Sequence, residues 1–293
     1  MNITEDNYSI DQLAQAITKQ NMYMQGIDYL MICDVSRNQF YDKIISSCVK
    51  DKVVVDIGFG SGILTMMAIH HGAKKVYAFE QDAATFDFGK AMIQSMGYAD
   101  KVEFFNLRWE RYNPVYDHDV IIHELLMRSF WGEGLKTIAN DNIDKSSNIF
   151  PHLVRCEVWC KENVVDTDYY GKSKLPTLET GLDYLDMNTH FQKLLSSEEY
   201  FAFYPGWNGG EEFDKKIGEY TIDINEEIVP DIFKIKVKVP PSCLVTTKTF
   251  VHDWPIIRFE GTRSWAPDKM VFSETGGMKT FHHRTSDGVW WLS

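Results

Sequence analysis

The chain has 293 residues, 44% of them hydrophobic and 25% charged, values of an ordinary globular protein that exclude a chain disordered throughout and leave room for two domains. Thirty Lys+Arg against 42 Asp+Glu give a formal net charge of −12, which opposes binding to a nucleic-acid backbone and favours Arg- or Lys-rich partners. No apolar run reaches the roughly 18 residues of a membrane span, the opening MNITEDNYSI carries acids where a signal peptide carries bases, and the five cysteines include no CxxC pair. No membrane, metal or disulfide framework is therefore expected, and the expected compartment is cytoplasmic.

Ser9-Ile-Asp-Gln12 has a capping-box spacing, and Ile10, Leu13 and Ile17 follow at helical intervals, which predicts a first amphipathic helix. From Asp51 the pattern becomes strand, glycine turn and helix: KVVVDIG, then GFGSG, then ILTMMAIHHG closed by Gly72. Further units are predicted as strand 76–79, helix 82–96 ended by Gly97, strand 102–105 and strand 120–122. Alternating strands and helices predict a doubly wound parallel sheet over 1–150. After Pro151, LVRCEVWCKE and IFKIKVKVP alternate apolar with polar residues, with TKTFVHDW, IIRFEG and MVFSE as further strands, so 151–293 is expected to be an antiparallel barrel or sandwich. An aromatic-rich segment at about 166–216, with a helix near 190–199, is expected as an inserted arm or lid. Cys156 and Cys160 are read as buried packing residues, and the His282-His283 pair as surface.

Asp56-Ile-Gly58-Phe-Gly60-Ser-Gly62 lies between a strand and a helix, where glycines let backbone amides approach a ligand and the helix N-terminus favours negative charge. A dinucleotide fingerprint would place its third glycine at position 63, which is Ile63; the spacing by two favours S-adenosylmethionine (AdoMet) instead. Glu80 ends the second strand twenty residues after Gly60, where a carboxylate in this topology accepts ribose hydroxyls.

Around residues 27–162 the sequence resembles the protein arginine N-methyltransferases, most closely their monomethylating, tandem-domain branch. Met31-Ile-Cys-Asp34-Val-Ser-Arg37-Asn38 looks like the family segment whose arginine holds the AdoMet carboxylate and whose methionine lies near the sulfonium, roles the resemblance assigns to Arg37 and Met31. Asn106-Leu-Arg-Trp109-Glu110 aligns with the stretch whose glutamate accepts from the adenine amino group, with Trp109 supplying a backbone contact. Glu124-Leu-Leu-Met-Arg-Ser-Phe-Trp-Gly-Glu133-Gly134 is similar to the family's double-glutamate loop, in which two carboxylates grip a guanidinium and orient one nitrogen for in-line attack on the methyl carbon. The resemblance thus implies Glu124 and Glu133 as catalytic residues, an Arg-rich protein or peptide as substrate, and a homodimer formed through the arm. His123 stands where relatives carry Ser or Thr and is read as packing. The chain stops at Trp290-Trp-Leu-Ser293, before the family's threonine-histidine-tryptophan loop, so a shortened barrel is expected. Two other functions fit the same residues: methyl transfer to a small guanidino or amine compound, and a catalytically silent AdoMet-binding scaffold.

Overall fold

A computed structural model describes residues 31–32, 34–108, 117–126, 131, 133–142, 147–162, 171–172, 205–206, 215–241, 243–252, 254–255, 271–273, 275–286 and 289–293. They divide into two compact units: described residues up to 124 with 147–150, and those at 125–142, 151–172 and 205–293. No described helix is long and apolar enough to cross a membrane.

The first unit starts with α1 (Val35–Cys48), whose N-cap Asp34 side chain accepts from the Arg37 N–H at 3.0 Å. Then come β1 (Val53–Ile57), α2 (Ile63–His70), β2 (Lys75–Phe79), α3 (Ala83–Ser95), a 3-10 turn, β3 (Val102–Phe105) and β4 (Val120–His123), with β5 (Asn148–Phe150) completing the sheet. All four pairings are parallel and the order is β3-β2-β1-β4-β5. The apolar runs of β1 and β4 are buried almost throughout, as a parallel sheet covered on both faces requires. Gly72 (φ 90°) and Gly97 (φ 79°) follow the ends of α2 and α3 in the left-handed conformation that stops a helix. Because the chain moves from β1 outward to β2 and β3 and then returns to β4 beside β1, the order reverses between β1 and β4, and ligands in such sheets bind outside the carboxyl ends of the strands at that reversal.

The second unit holds α4 (Leu135–Asn142) and the antiparallel strands β6 (Leu153–Glu162), β7 (Gly171–Lys172), β8 (Pro205–Gly206), β9 (Lys215–Asp223), β10 (Ile232–Val239), β11 (Cys243–Val251), β12 (Trp254–Pro255), β13 (Val271–Ser273), β14 (Gly277–Arg284) and β15 (Trp290–Leu292). One sheet runs β12-β11-β6-β9 with β13 on β11, a second runs β10-β14-β15, and β7 pairs with β8. Cys156, Val158 and Cys160 alternate inward along β6 and share a core with Tyr220, Val237, Val239, Cys243, Val245, Phe281 and Trp290. Both β6 cysteines are thus packing residues, and the four described cysteines are free thiols. His283 corrects the surface expectation: neighbouring strand residues face opposite sides, so it is fully buried while His282 stacks on Trp291. The helices expected at 9–17 and 190–199, the strand at 256–261 and most of the arm lie outside the described residues.

Candidate active site

Three strands bring their carboxyl ends to one level: Phe79 of β2, Ile57 of β1 and His123 of β4 are in register across the sheet. The next residues in sequence are Glu80, Gly58 and Glu124, so three residues singled out from the sequence leave the sheet side by side. His123 is completely buried in β4, in keeping with packing. The Asn106 side chain, just past β3, donates to the Glu80 carbonyl at 2.9 Å.

The glycine turn is held by short backbone contacts. The amides of Gly58 and Phe59 both donate to the Phe79 carbonyl, at 2.8 and 3.0 Å, and Gly58, Gly60 and Gly62 all have positive φ (72°, 52° and 87°). Side chains are strained there, and space is also closed: a Cβ on Gly62 would stand 2.5 Å from Ile93, and one on Gly89 of α3 would stand 1.9 Å from the Gly60 carbonyl oxygen. Glycine at position 89 therefore lets α3 press directly on the loop.

Asp56 in β1 is fully buried; its Oδ2 accepts from the Thr65 hydroxyl at 2.6 Å, while its Oδ1 has no partner among the described residues. Burial pushes its carboxyl up to about 7, and neighbouring Glu80 adds to the rise while Thr65 and Arg37 oppose it. Glu80 is also raised, mainly by burial, although its carboxylate accepts the Asp82 amide at 2.9 Å.

Arg37, on α1, is 1% exposed and its Nη2 lies 3.5 Å from Glu124 Oε2; the Glu124 side chain is 10% exposed. Arg37 Nη1 donates to Asn38 at 3.3 Å, and its guanidinium carbon lies 5.1 Å from the Tyr41 ring centre. Tyr41, one turn along α1, is buried with its hydroxyl unpartnered among the described residues, and its ionisation is pushed up by burial and then by Glu124. Tyr41 was not singled out from the sequence; its signal was the i, i+4 spacing from Arg37 on one helix face. Thr65 escaped likewise, because only the fold brings α2 back over Asp56.

The structure thus brings Arg37, Asp56, Gly58, Gly60, Glu80 and Glu124 together on the first unit, with Met31 just before α1. Glu133 is an exposed residue of the second unit, between Trp131 and α4. Trp109 and Glu110 lie outside the described residues. Among the described residues no cluster of His, Cys, Asp or Glu has a metal-binding arrangement.

A glycine turn, an acidic residue ending the next strand and a buried arginine at the reversal of a parallel sheet define a Rossmann-like domain. The family profile of ribosomal protein L11 methyltransferase matches residues 39–131, the stretch that builds most of this sheet. The chain is 37% identical over 103 residues to protein arginine N-methyltransferase 1 of Oryza sativa subsp. indica, covering 34% of this chain and 26% of the rice protein. It is 26% identical over 270 residues to protein arginine N-methyltransferase 2 of Dictyostelium discoideum, covering 89% of this chain and 49% of that protein. The chain spans less than half the length of these curated relatives. In fold it is similar to the Trypanosoma brucei PRMT1 enzyme-prozyme heterotetrameric complex with AdoHcy, with a TM-score of 0.54 at 16% identity over 88% of each chain. Over these stretches the chain is similar in sequence to protein arginine N-methyltransferases.

Proposed function

We propose that the chain is an AdoMet-dependent methyltransferase that methylates a guanidino nitrogen of protein arginine. One observation carries the reading: the Glu124 carboxylate stands one residue past the strand beside the glycine turn, paired at 3.5 Å with the buried Arg37. A carboxylate fixed there by an internal cation suits an acceptor that is itself a planar cation.

The residues present fit the cofactor. The glycine turn leaves room for close approach, and the partnerless Oδ1 of Asp56 and hydroxyl of Tyr41 are buried polar atoms of the kind that a polar ligand's neighbourhood accommodates. Met31, Arg37, Asp56, Gly58, Gly60, Glu80, Trp109 and Glu110 are proposed to hold it: Arg37 at its carboxylate, Glu80 at the ribose and Glu110 at the adenine. When bound, AdoMet supplies an electrophilic methyl group on a sulfonium.

The chain's own contribution is alignment. Glu124 and Glu133 are proposed to hold the guanidinium through its fixed fork of donors, so that one nitrogen keeps a usable lone pair. Orientation of this kind can lower a barrier by about 7–11 kcal/mol, which makes a strong general base unnecessary. The Gly-Glu133-Gly134 ending supports the monomethylating branch. The acidic balance of the chain supports an Arg-rich protein or peptide as substrate, and the aromatic segment at 166–216 supports a homodimer. The odd cysteine count without a CxxC pair supports a cytoplasmic setting.

The test is incubation with methyl-labelled AdoMet and an Arg/Gly-rich peptide, beside its all-Lys version and a Glu124→Gln variant, with hydrolysis for methylarginine. Label in arginine that is lost in the variant is expected. Label absent from arginine but present on free guanidino compounds, or absent from both despite cofactor binding, overturns the assignment.

A further inference from the structure

Glu133 is exposed, yet the residues two before and two after it, Trp131 and Leu135, are both 0% exposed. The carboxylate therefore projects from a short stretch pinned on either side. On the far side the pin is α4, which buries Leu135, Ile138, Ala139 and Asn142 on one face. Asn140 exchanges two hydrogen bonds with the main chain of Val229: its amide donates to the Val229 carbonyl at 3.1 Å, and its oxygen accepts the Val229 N–H at 2.8 Å. Lys136 pairs with Asp231.

On the near side the pin is a chain of polar atoms that reaches across the antiparallel strands. Trp131 Nε1 donates to the Tyr220 hydroxyl at 2.8 Å, and Tyr220 lies 2.9 Å from His283 Nδ1. An indole N–H can only donate, so the Tyr220 oxygen accepts from Trp131, and Tyr220 and His283 Nδ1 share the next hydrogen bond, whose direction is set by the imidazole tautomer. Cys156 Sγ lies 3.8 Å from the same nitrogen. The rings add to the hold: Tyr220 stacks on Phe233 with centres 3.9 Å apart and planes 9° apart, and Trp131 stacks on the same Phe233 at 5.9 Å. All these residues belong to the second unit. A strand core that needed only apolar packing would not place three polar side chains in a hydrogen-bonded series that reaches a loop tryptophan.

We propose that Trp131, Tyr220 and His283 are positioning residues for Glu133, a hydrogen-bonded chain that fixes the acceptor-side carboxylate from within the antiparallel sheets. The proposal rests on the reading of Glu133 as an acceptor-binding residue. It makes the rate of methyl transfer depend on a tyrosine and a histidine that touch neither cofactor nor acceptor.

The experiment compares the full chain with Tyr220→Phe, which keeps the ring stack and removes the hydroxyl, and with His283→Leu and His283→Asn. Asparagine places an acceptor oxygen near the former Nδ1 and is the conservative variant. Amide hydrogen exchange at 131–135, AdoMet affinity by calorimetry, and kcat and KM for the Arg/Gly-rich peptide are read for each. Tyr220→Phe and His283→Leu are expected to speed exchange at 131–135 and to lower kcat/KM for the peptide by about tenfold with AdoMet affinity and binding stoichiometry unchanged, because a small misplacement of an orienting group is costly. His283→Asn is expected to restore both. Unchanged exchange at 131–135 overturns the proposal, as does a rate loss matched by an equal loss of AdoMet-binding sites, which marks general destabilisation. If the unaltered protein methylates no arginine peptide, the functional reading fails, while exchange still decides whether the hydrogen-bonded chain holds the loop.

Discussion

Glu124 and Glu133 are held by opposite chemistry. Glu124 is mostly buried against the charge of Arg37, whereas Glu133 is exposed between flanks held by neutral hydrogen bonds and apolar anchors. A buried ion pair is expensive to break because the survivor is left charged without a partner; a neutral chain loses one modest bond at a time. The contrast suits the different tasks of the proposed function, in which Arg37 of the first unit also receives the cofactor's carboxylate and the second unit presents a side chain to the acceptor.

The largest expected effect breaks that contrast on its charged side. Arg37→Ala removes the cation beside the mostly buried Glu124, and a loss of about 3–5 kcal/mol in unfolding free energy is expected. Adding Glu124→Gln should recover a large part of the loss, and a denaturant double-mutant cycle measures it. A cycle that shows no coupling would falsify the pairing as a structural element.

Asp56 sharpens the same point through pH. Its folded carboxyl is pushed up to about 7 by burial, above the ordinary value of 3.8, so the folded state binds more protons than the unfolded state between those limits. The sign follows: its contribution to stability is full below about 4 and is lost as pH rises towards 7, with a slope of up to about 1.4 kcal/mol per unit. Asp56→Asn removes the titration. The stability of the cofactor-free protein relative to this variant should fall from pH 4 to 7 and then level, as followed by urea unfolding; a difference that rises with pH over that range contradicts the assignment.

Gly89→Ala is next in size. Alanine is the better helix former by about 1 kcal/mol, yet its Cβ would stand 1.9 Å from the Gly60 carbonyl, so a net loss of about 1–3 kcal/mol and weaker AdoMet binding are expected. Calorimetric titration with AdoMet is the measurement, and unchanged affinity shows that α3 can move off the turn without disturbing it.

The two units also differ in how much of them could be read from residues alone. In the first, each signal is local: the β-branched run of β1, glycines spaced by two and Glu80 closing the next strand lie within thirty residues, and the sheet order follows from alternation. What could not be read is the Arg37–Glu124 pair, which joins residues far apart in the chain. In the second unit β6, β10 and β11 announce themselves by alternation, but β9 escapes because KKIGEYTID opens on two exposed lysines and carries a glycine packed under Val237. α4 escapes because LKTIANDN is poor in strong helix formers and is held by its Asn140 contacts and its buried face. His283 was misjudged because two adjacent histidines look alike in sequence, and only the strand's period of two separates a buried member of the hydrogen-bonded chain from a surface neighbour.

The smallest effect tests whether α4 serves only its own unit. Asn140→Ala removes both bonds to Val229, a residue 1% exposed whose main-chain groups are left without those partners. Leaving such groups unpaired costs about 1–3 kcal/mol, and the gain in helix propensity returns up to about 0.7 of it, so a net loss of about 1 kcal/mol is expected. The cost is borne in the second unit, so AdoMet affinity should be untouched while amide exchange of α4 quickens. Asn140→Asp keeps the acceptor for the Val229 N–H and loses only the donor, and it should fall between the two. Equal losses in α4 protection and in cofactor affinity would show that the helix behind Glu133 also supports the glycine turn, and the division of labour between the two glutamates would then have to be abandoned.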